Sequence, residues 1–145
     1  MSGKIFDTWQ IWAFLSAVFA ALTAIFAKVG VGGVSSDLAT LIRTIVIVVL
    51  LAAIVAATGQ FKDIGVIEGQ TWLFLLLSGL ATGASWFCYF RALKLGPASL
   101  VAPIDKLSVV LVAIIAFSFL GERPSMTSWL GIGAITVGAL MVALG

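Results

Sequence analysis

Five long apolar segments constrain the fold of this chain more than any other feature of its sequence. A helix that crosses a bilayer needs about 20 mostly apolar residues. Segments of that kind lie at about 9–28, 38–58, 71–93, 98–120 and 126–144. The chain is 62% hydrophobic and 10% charged, whereas soluble domains are about half apolar and a quarter charged. We therefore predict an all-α integral membrane protein, a single domain over 1–145 with five transmembrane helices.

The composition also excludes several classes of functional site. The chain has no His and one Cys, Cys88, which excludes a zinc site, a disulfide framework and a Cys–His nucleophile. No metal and no other cofactor is predicted. Cys88 lies in an apolar stretch and is expected to be a small buried side chain. A net charge of +2 is too small to suggest nucleic-acid binding, and no reacting group has a recognisable partner, so an enzyme is not expected.

The polar stretches between the spans carry capping and turn signals. In the first connection, Ser36 or Asp37 is placed to cap the second helix. Lys94-Leu-Gly-Pro97 is very short, with glycine ending the third helix and proline opening the fourth. The third and fourth spans are therefore expected to form a tight hairpin.

The number of spans and the distribution of charge bear on orientation. Five spans put the two termini on opposite sides of the membrane. The cations of the N-terminal side are Lys4, Lys62 and Arg123, and those of the other side are Lys28, Arg91 and Lys94, with Arg43 as a fourth if it is included. Because the positive-inside rule then favours neither side strongly, two alternatives stay open. Weaker signals could choose one orientation, or both orientations could occur and pair as an antiparallel homodimer, making an inverted repeat from one sequence.

Charged residues inside the spans are expected to cluster in one half of the membrane. Arg43 lies six residues beyond Asp37 and Asp105 eight beyond Pro97, about 9 and 12 Å into their helices. Arg91 and Lys106 fall in the same half. A lone charge near mid-bilayer costs about 3 kcal/mol on insertion scales, so we expect Arg43 and Asp105 to pair. The cluster could be a substrate pathway or a structural salt bridge.

Pro103 predicts a break in the fourth helix. It lacks the backbone donor that would bond the carbonyl of Ser99. Freed backbone at membrane depth is tolerated only against protein or water. The stretch around Asp105, Lys106 and Ser108 is therefore expected to be polar and slightly broken.

The third span carries a polar face that completes the candidate site. Ser78, Thr82, Ser85 and Tyr89 follow one another at steps of four, three and four residues, with Trp86 beside them, which places them on one helix face. They could line a cavity or hydrogen-bond to a neighbouring helix. The full set of candidates for substrate or cavity contact is Arg43, Ser78, Thr82, Ser85, Trp86, Tyr89, Arg91, Asp105, Lys106 and Ser108.

Several short motifs lie along the chain, at Ser35–Thr44, Tyr89–Ser99, Val101–Ser108, Phe119–Arg123 and Trp129–Gly133. Together they resemble the EamA family of the drug/metabolite transporter superfamily, over essentially the whole chain. Most relatives carry two such units of opposite orientation in one chain, and this chain is similar to the five-helix, single-unit branch. The resemblance implies that two copies make one ten-helix transporter, with a cavity lined mainly by the first four spans. The glutamate that the small multidrug branch carries in its first span is missing here.

The sequence thus predicts a multi-pass protein of the cell (inner) membrane that moves a small polar metabolite, an amino acid or other organic solute, by alternating access. Arg43, Lys106 and Arg91 would provide positive charge toward an anionic or zwitterionic group, and Asp105 would orient them. The expected partners are a second copy, lipid and the solute. Two alternatives stay open: a non-transporting membrane scaffold or accessory subunit, and a flippase for a lipid-linked substrate.

Overall fold

A computed structural model describes residues 9–145, and the regular structure in this part of the chain is entirely helical. Five helical segments are long and apolar enough to cross a membrane, as predicted. The α-helices are α1 (Trp9–Gly30), α2 (Ser36–Ala57), α3 (Gly69–Leu95), α4 (Ala98–Asp105), α5 (Ser108–Ile115) and α6 (Met126–Leu144). A 3₁₀ helix, Gln60–Val66, joins α2 to α3, and a π-helical segment, Ala116–Leu120, follows α5. The fourth span is the run Ala98–Leu120.

The start of α2 corrects one prediction from the sequence. Ser35 is the N-cap, and its hydroxyl oxygen accepts a hydrogen bond from the backbone N–H of Leu38 at 3.3 Å. A capping residue must keep a non-helical backbone, and Ser35 does so with φ −66° and ψ 147°. Ser36 is already helical, and its hydroxyl donates instead to Asp37 Oδ1 at 3.0 Å. The expectation that Ser36 or Asp37 would be the cap was therefore wrong.

The fourth span is broken after Asp105, close to the predicted place. The backbone N–H groups of Lys106 and Leu107 donate to the carbonyls of Pro103 and Ile104, three residues earlier, at 3.1 and 3.0 Å. Val109 repeats this spacing by donating to Lys106 at 3.0 Å. The chain thus tightens into a 3₁₀-like turn that begins at Lys106, three residues beyond Pro103, and α5 begins at Ser108. Local hydrogen bonds keep these backbone groups paired through the break.

The chain divides into two compact units. The α2–α3 unit is Ala27–Lys94, and the α4–α6 unit contains Leu95–Gly145 with the residues up to Phe26. In the α4–α6 unit, α6 packs against α4 and α5. Phe117 and Trp129 meet edge to face there, with ring centroids 6.2 Å apart.

Two lysines tie the α2–α3 unit together at one end. Lys28 Nζ, near the end of α1, donates to the carbonyl of Leu93 at 2.6 Å. Lys94 Nζ, near the end of α3, donates to the carbonyl of Val34 at 2.6 Å. Val31, Phe90 and Leu93 are buried at this end of the unit. The end of α1, the start of α2 and the end of α3 therefore meet in space.

Most large apolar side chains of the described residues are exposed on the single chain. In α2 no residue is buried, and Leu80 on α3 is 72% exposed. Cys88 is exposed as well, so its predicted burial within the chain was wrong. Membrane helices turn apolar side chains toward lipid or another protein, and this surface requires such a covering.

The assignment of the α2 cap gives the first prediction. Replacing Ser35→Ala removes the oxygen that accepts the Leu38 N–H, and we expect the free energy of unfolding to fall by about 1 kcal/mol. Ser36→Ala is the matched control and should change stability less, because its hydroxyl caps no backbone donor. Unfolding in mixed detergent micelles, followed by circular dichroism, measures both. Equal losses for the two variants would contradict the assignment.

Candidate functional site

Arg43 is stacked on two aromatic rings of α3. Its guanidinium carbon lies 4.0 Å from the ring centroid of Trp86 and 5.2 Å from that of Phe90. Trp86 and Phe90 are four residues apart, so they lie on one face of α3. Phe90 is 2% exposed, while Arg43 and Trp86 are half-buried. We call these three residues the Arg43 clamp.

The clamp uses the faces of the guanidinium and leaves its edge available. A guanidinium is planar and weakly hydrated on its faces, so it stacks well on aromatic rings, while its five N–H donors point outward in the plane. Within the α2–α3 unit, Ala27–Lys94, no hydrogen bond or ion pair joins these donors to another residue. The clamp therefore orients a cation whose donors can bind something other than this chain.

Positive charge accumulates at the same end of the α2–α3 unit. This end has four cations and one carboxylate, Asp37, and therefore a net charge of +3. The four cations are Lys28, Arg43, Arg91 and Lys94. The ammonium of Lys28 lies on a carbonyl of the last turn of α3, where a helix end favours a cation. Arg91 is exposed. The charge balance makes this end attractive to anions.

The residues of the predicted polar face all lie on α3, and most of them are exposed on the single chain. Ser78, Thr82 and Ser85 are exposed, and Tyr89 is half-buried. Thr82 Oγ1 donates to the carbonyl of Ser78 at 2.8 Å, so its proton is used within α3. The choice between cavity lining and contact with another helix stays open for these residues.

Asp105 and Lys106 form an ion pair at the break of the fourth span. Lys106 Nζ lies 3.3 Å from Asp105 Oδ2, and the two side chains are 56% and 38% exposed, respectively. Pro103 lies inside α4, and Ser108 is the exposed first residue of α5. The pairing of Arg43 with Asp105 stays a prediction.

Sequence reasoning missed Phe90 and the two lysine contacts. The signal for Phe90 was present, because it follows Trp86 by four residues and shares its helix face. Lys28 and Lys94 were counted only for orientation, since their carbonyl partners lie 65 and 60 residues away along the chain. Within residues 9–145, no group of three or more His, Cys, Asp or Glu side chains could hold a metal ion.

Comparison with known proteins identifies the family of this chain. Residues 7–144 match the EamA-like transporter family. The chain belongs to this family. It is 64% identical over 138 residues, 95% of this chain and 98% of the relative, to an uncharacterised transporter in the cobO 3′ region of a Sinorhizobium species. EamA-like proteins are transporters, and with five apolar spans this chain is a multi-pass membrane protein.

More distant relatives match only part of this EamA-like chain. A probable 4-amino-4-deoxy-L-arabinose-phosphoundecaprenol flippase subunit, ArnE, of Aeromonas hydrophila is 35% identical over 69 residues, 48% of this chain and 60% of the relative. The corresponding protein of Yersinia pestis is 30% identical over 73 residues, 50% of this chain and 64% of the relative. No solved structure gives a significant match.

The clamp geometry gives the second prediction. A double-mutant cycle of Arg43→Met and Trp86→Leu should show a coupling energy of about 0.5–2 kcal/mol, because either change removes the same cation–π contact. The measurement is the unfolding free energy in mixed micelles. A cycle of Lys62→Met with Trp86→Leu is the control, since Lys62 lies in the connection at the other end of α2. Additive effects of Arg43→Met and Trp86→Leu would show that the contact contributes nothing.

Proposed function

We propose that this EamA-like protein moves a small polar metabolite across the cell (inner) membrane by alternating access, as an antiparallel dual-topology homodimer. The observation that carries the proposal is family membership over residues 7–144, combined with an odd number of spans and a nearly even distribution of Lys and Arg between the two sides. When both orientations occur, a copy can pair with an inverted copy, and the two units then face opposite ways across the membrane. Inverted repeats of this kind are a common plan for transporters.

The surface of the chain supports assembly with a second copy. Large apolar side chains cover the outside of every span. Gly79 and Gly83 form a small-xxx-small pair on α3, and a Cβ at either position would meet nothing within 4 Å. Small residues of this spacing permit close helix approach in membranes.

The polar residues support a solute rather than an apolar drug as cargo. A half-buried arginine in α2 and an exposed ion pair at the break of the fourth span lie within apolar segments, and ionisable residues inside membranes commonly mark substrate or ion pathways. We propose that Arg43, Asp105 and Lys106 contribute to such a pathway. Trp86, Tyr89, Arg91 and the hydroxyls of Ser78, Thr82, Ser85 and Ser108 are proposed to line it.

A flippase for a lipid-linked substrate is a second candidate. Partial similarity to proteins described as ArnE flippase subunits favours it. This alternative predicts movement of a lipid-borne headgroup between leaflets, rather than uptake of a soluble compound into liposomes.

Transport is the direct test. Purified protein in liposomes should take up at least one member of a panel of labelled amino acids and organic acids under an imposed gradient. Arg43→Gln should lower the initial rate about 10- to 100-fold, because a charged hydrogen bond contributes about 1.5–3 kcal/mol. Arg123→Gln, in the connection before α6, is the control and should retain the rate. Failure of the whole panel, with properly folded protein, would favour the scaffold or flippase alternatives.

Orientation tests the dual topology. Single cysteines are introduced by Gly33→Cys and Gly65→Cys in a Cys88→Ser background, at opposite ends of α2. A Cβ at either glycine meets nothing within 4 Å, and neither change alters the charge balance. An impermeant thiol reagent applied to intact cells should label about half of the molecules at each site, because two antiparallel copies expose opposite ends equally.

Charge-shifted versions provide the control for that experiment. Gly33→Lys combined with Gly65→Cys, and Gly65→Lys combined with Gly33→Cys, each add one cation to one side. Because the added cation favours the cytoplasmic side, each variant should place its cysteine outside, so labelling should rise toward all molecules in both, through opposite orientations of the chain. Complete labelling of one site and none of the other in the charge-neutral proteins would refute dual topology.

A further inference from the structure

We infer that the in-plane edge of the Arg43 guanidinium binds an oxyanion, a carboxylate or phosphate group, with Trp86 as the positioning residue that fixes the plane of the cation. The assignment of this oxyanion to the transported solute rests on the proposed transport function. It names a chemical class for that solute and one residue that recognises it.

Geometry is the first step of the argument. The guanidinium carbon is 4.0 Å from the Trp86 centroid and 5.2 Å from the Phe90 centroid, so the rings contact the cation without using its N–H donors. Phe90 is 2% exposed and holds its position in the buried end of α3. A guanidinium held in this way presents parallel N–H groups in a known plane, which is the arrangement that binds a carboxylate or phosphate in bidentate fashion.

The position of the charge is the second step. Arg43 is seven residues beyond Ser36, about 10 Å along α2. A cation at that depth is costly unless it is paired or solvated, and within the α2–α3 unit, Ala27–Lys94, no carboxylate forms an ion pair with it. Stacking on rings compensates only part of that cost. An anionic group on the open edge supplies the missing counter-charge.

The surrounding charge decides the sign of the ligand. The end of the α2–α3 unit that contains the clamp carries a net +3, from four cations and Asp37. Asp37 itself accepts a hydrogen bond from Ser36 at 3.0 Å and is exposed. A cationic solute would be repelled here, while an anion would be drawn in and then bound by the fork of Arg43.

The role of Trp86 follows from the same contacts. Trp86 lies on the guanidinium face and not on its donor edge, so it controls the orientation of the cation. Trp86→Leu should therefore weaken oxyanion binding about 2- to 30-fold, the range of a cation–π contact of 0.5–2 kcal/mol. Trp86→Phe should restore binding close to that of the unchanged protein, because it keeps a ring in place.

Binding in nanodiscs tests the inference without requiring transport. The full-length protein in phosphatidylcholine nanodiscs is titrated with succinate and with inorganic phosphate by isothermal titration calorimetry. We expect at least one of the two to bind. Arg43→Lys keeps the charge but loses the fork, and should raise the Kd about 10- to 100-fold. Arg123→Gln is the matched control and should bind like the unchanged protein.

A second lipid composition distinguishes the source of the oxyanion. In nanodiscs that also contain phosphatidylglycerol, a soluble anion that binds the clamp should keep most of its affinity, because the anionic lipid lowers only its long-range electrostatic attraction to the protein. If succinate and phosphate fail in phosphatidylcholine, but phosphatidylglycerol raises the melting temperature only when Arg43 is present, the occupant is a lipid headgroup. That result supports the oxyanion site and overturns its assignment to the solute.

The inference is overturned if neither soluble anion binds and phosphatidylglycerol has no Arg43-dependent effect. It is also overturned if Arg43→Lys, folded by circular dichroism, binds as tightly as the unchanged protein. Its failure is distinct from failure of the proposed function. Uptake of a solute by a protein with no Arg43-dependent binding would leave transport intact and remove the clamp, whereas anion binding without uptake would do the reverse.

Discussion

Lipid offers no hydrogen-bond partner to the backbone, and the local structure of this protein follows from that constraint. Donors and acceptors inside a span must pair within the protein. The spans are therefore helical, and the backbone groups at their irregular positions are paired locally. In the fourth span, Lys106 and Leu107 donate to carbonyls three residues earlier instead of four. At its end, Gly121 turns the chain with φ 71°, and the Glu122 N–H donates to the Ala116 carbonyl. Even the hydroxyl of Thr82 donates to its own helix.

Charges face the same constraint, and the chain meets it in three different ways. Lys28 places its ammonium group on a carbonyl in the last turn of α3, where a helix end favours a cation. Lys94 places its ammonium group on the carbonyl of Val34, just before α2. Asp105 and Lys106 pair with each other across one peptide bond. Arg43 covers its faces with rings and leaves its donors outward. In the first two arrangements the charged group is bound by another group of the chain. In the third, the N–H donors of Arg43 are left for a ligand, which is why Arg43 carries the strongest functional argument.

Prediction from the sequence succeeded where a single helix decides the outcome. Span length and hydropathy are properties of consecutive residues, so the five spans were predicted with small errors at their ends, and Pro103 pointed to the break that follows it. The cap of α2 was misplaced because Ser35, Ser36 and Asp37 are all good capping residues, and only the backbone angles select Ser35. Burial of Cys88 was misjudged because an apolar stretch in a membrane protein faces lipid as readily as protein.

The sequence by itself determined that this protein lies in a lipid bilayer, how many spans it has and to which family it belongs, because each depends on composition and on short motifs along the chain. The tertiary structure decided what each charge touches. It placed Arg43 on Trp86 and Phe90, and Lys28 and Lys94 on carbonyls far away in the sequence. Such contacts depend on how the last turn of α1, the start of α2 and the end of α3 meet within the α2–α3 unit, and hydropathy carries no information on that meeting, since lipid accepts any apolar face.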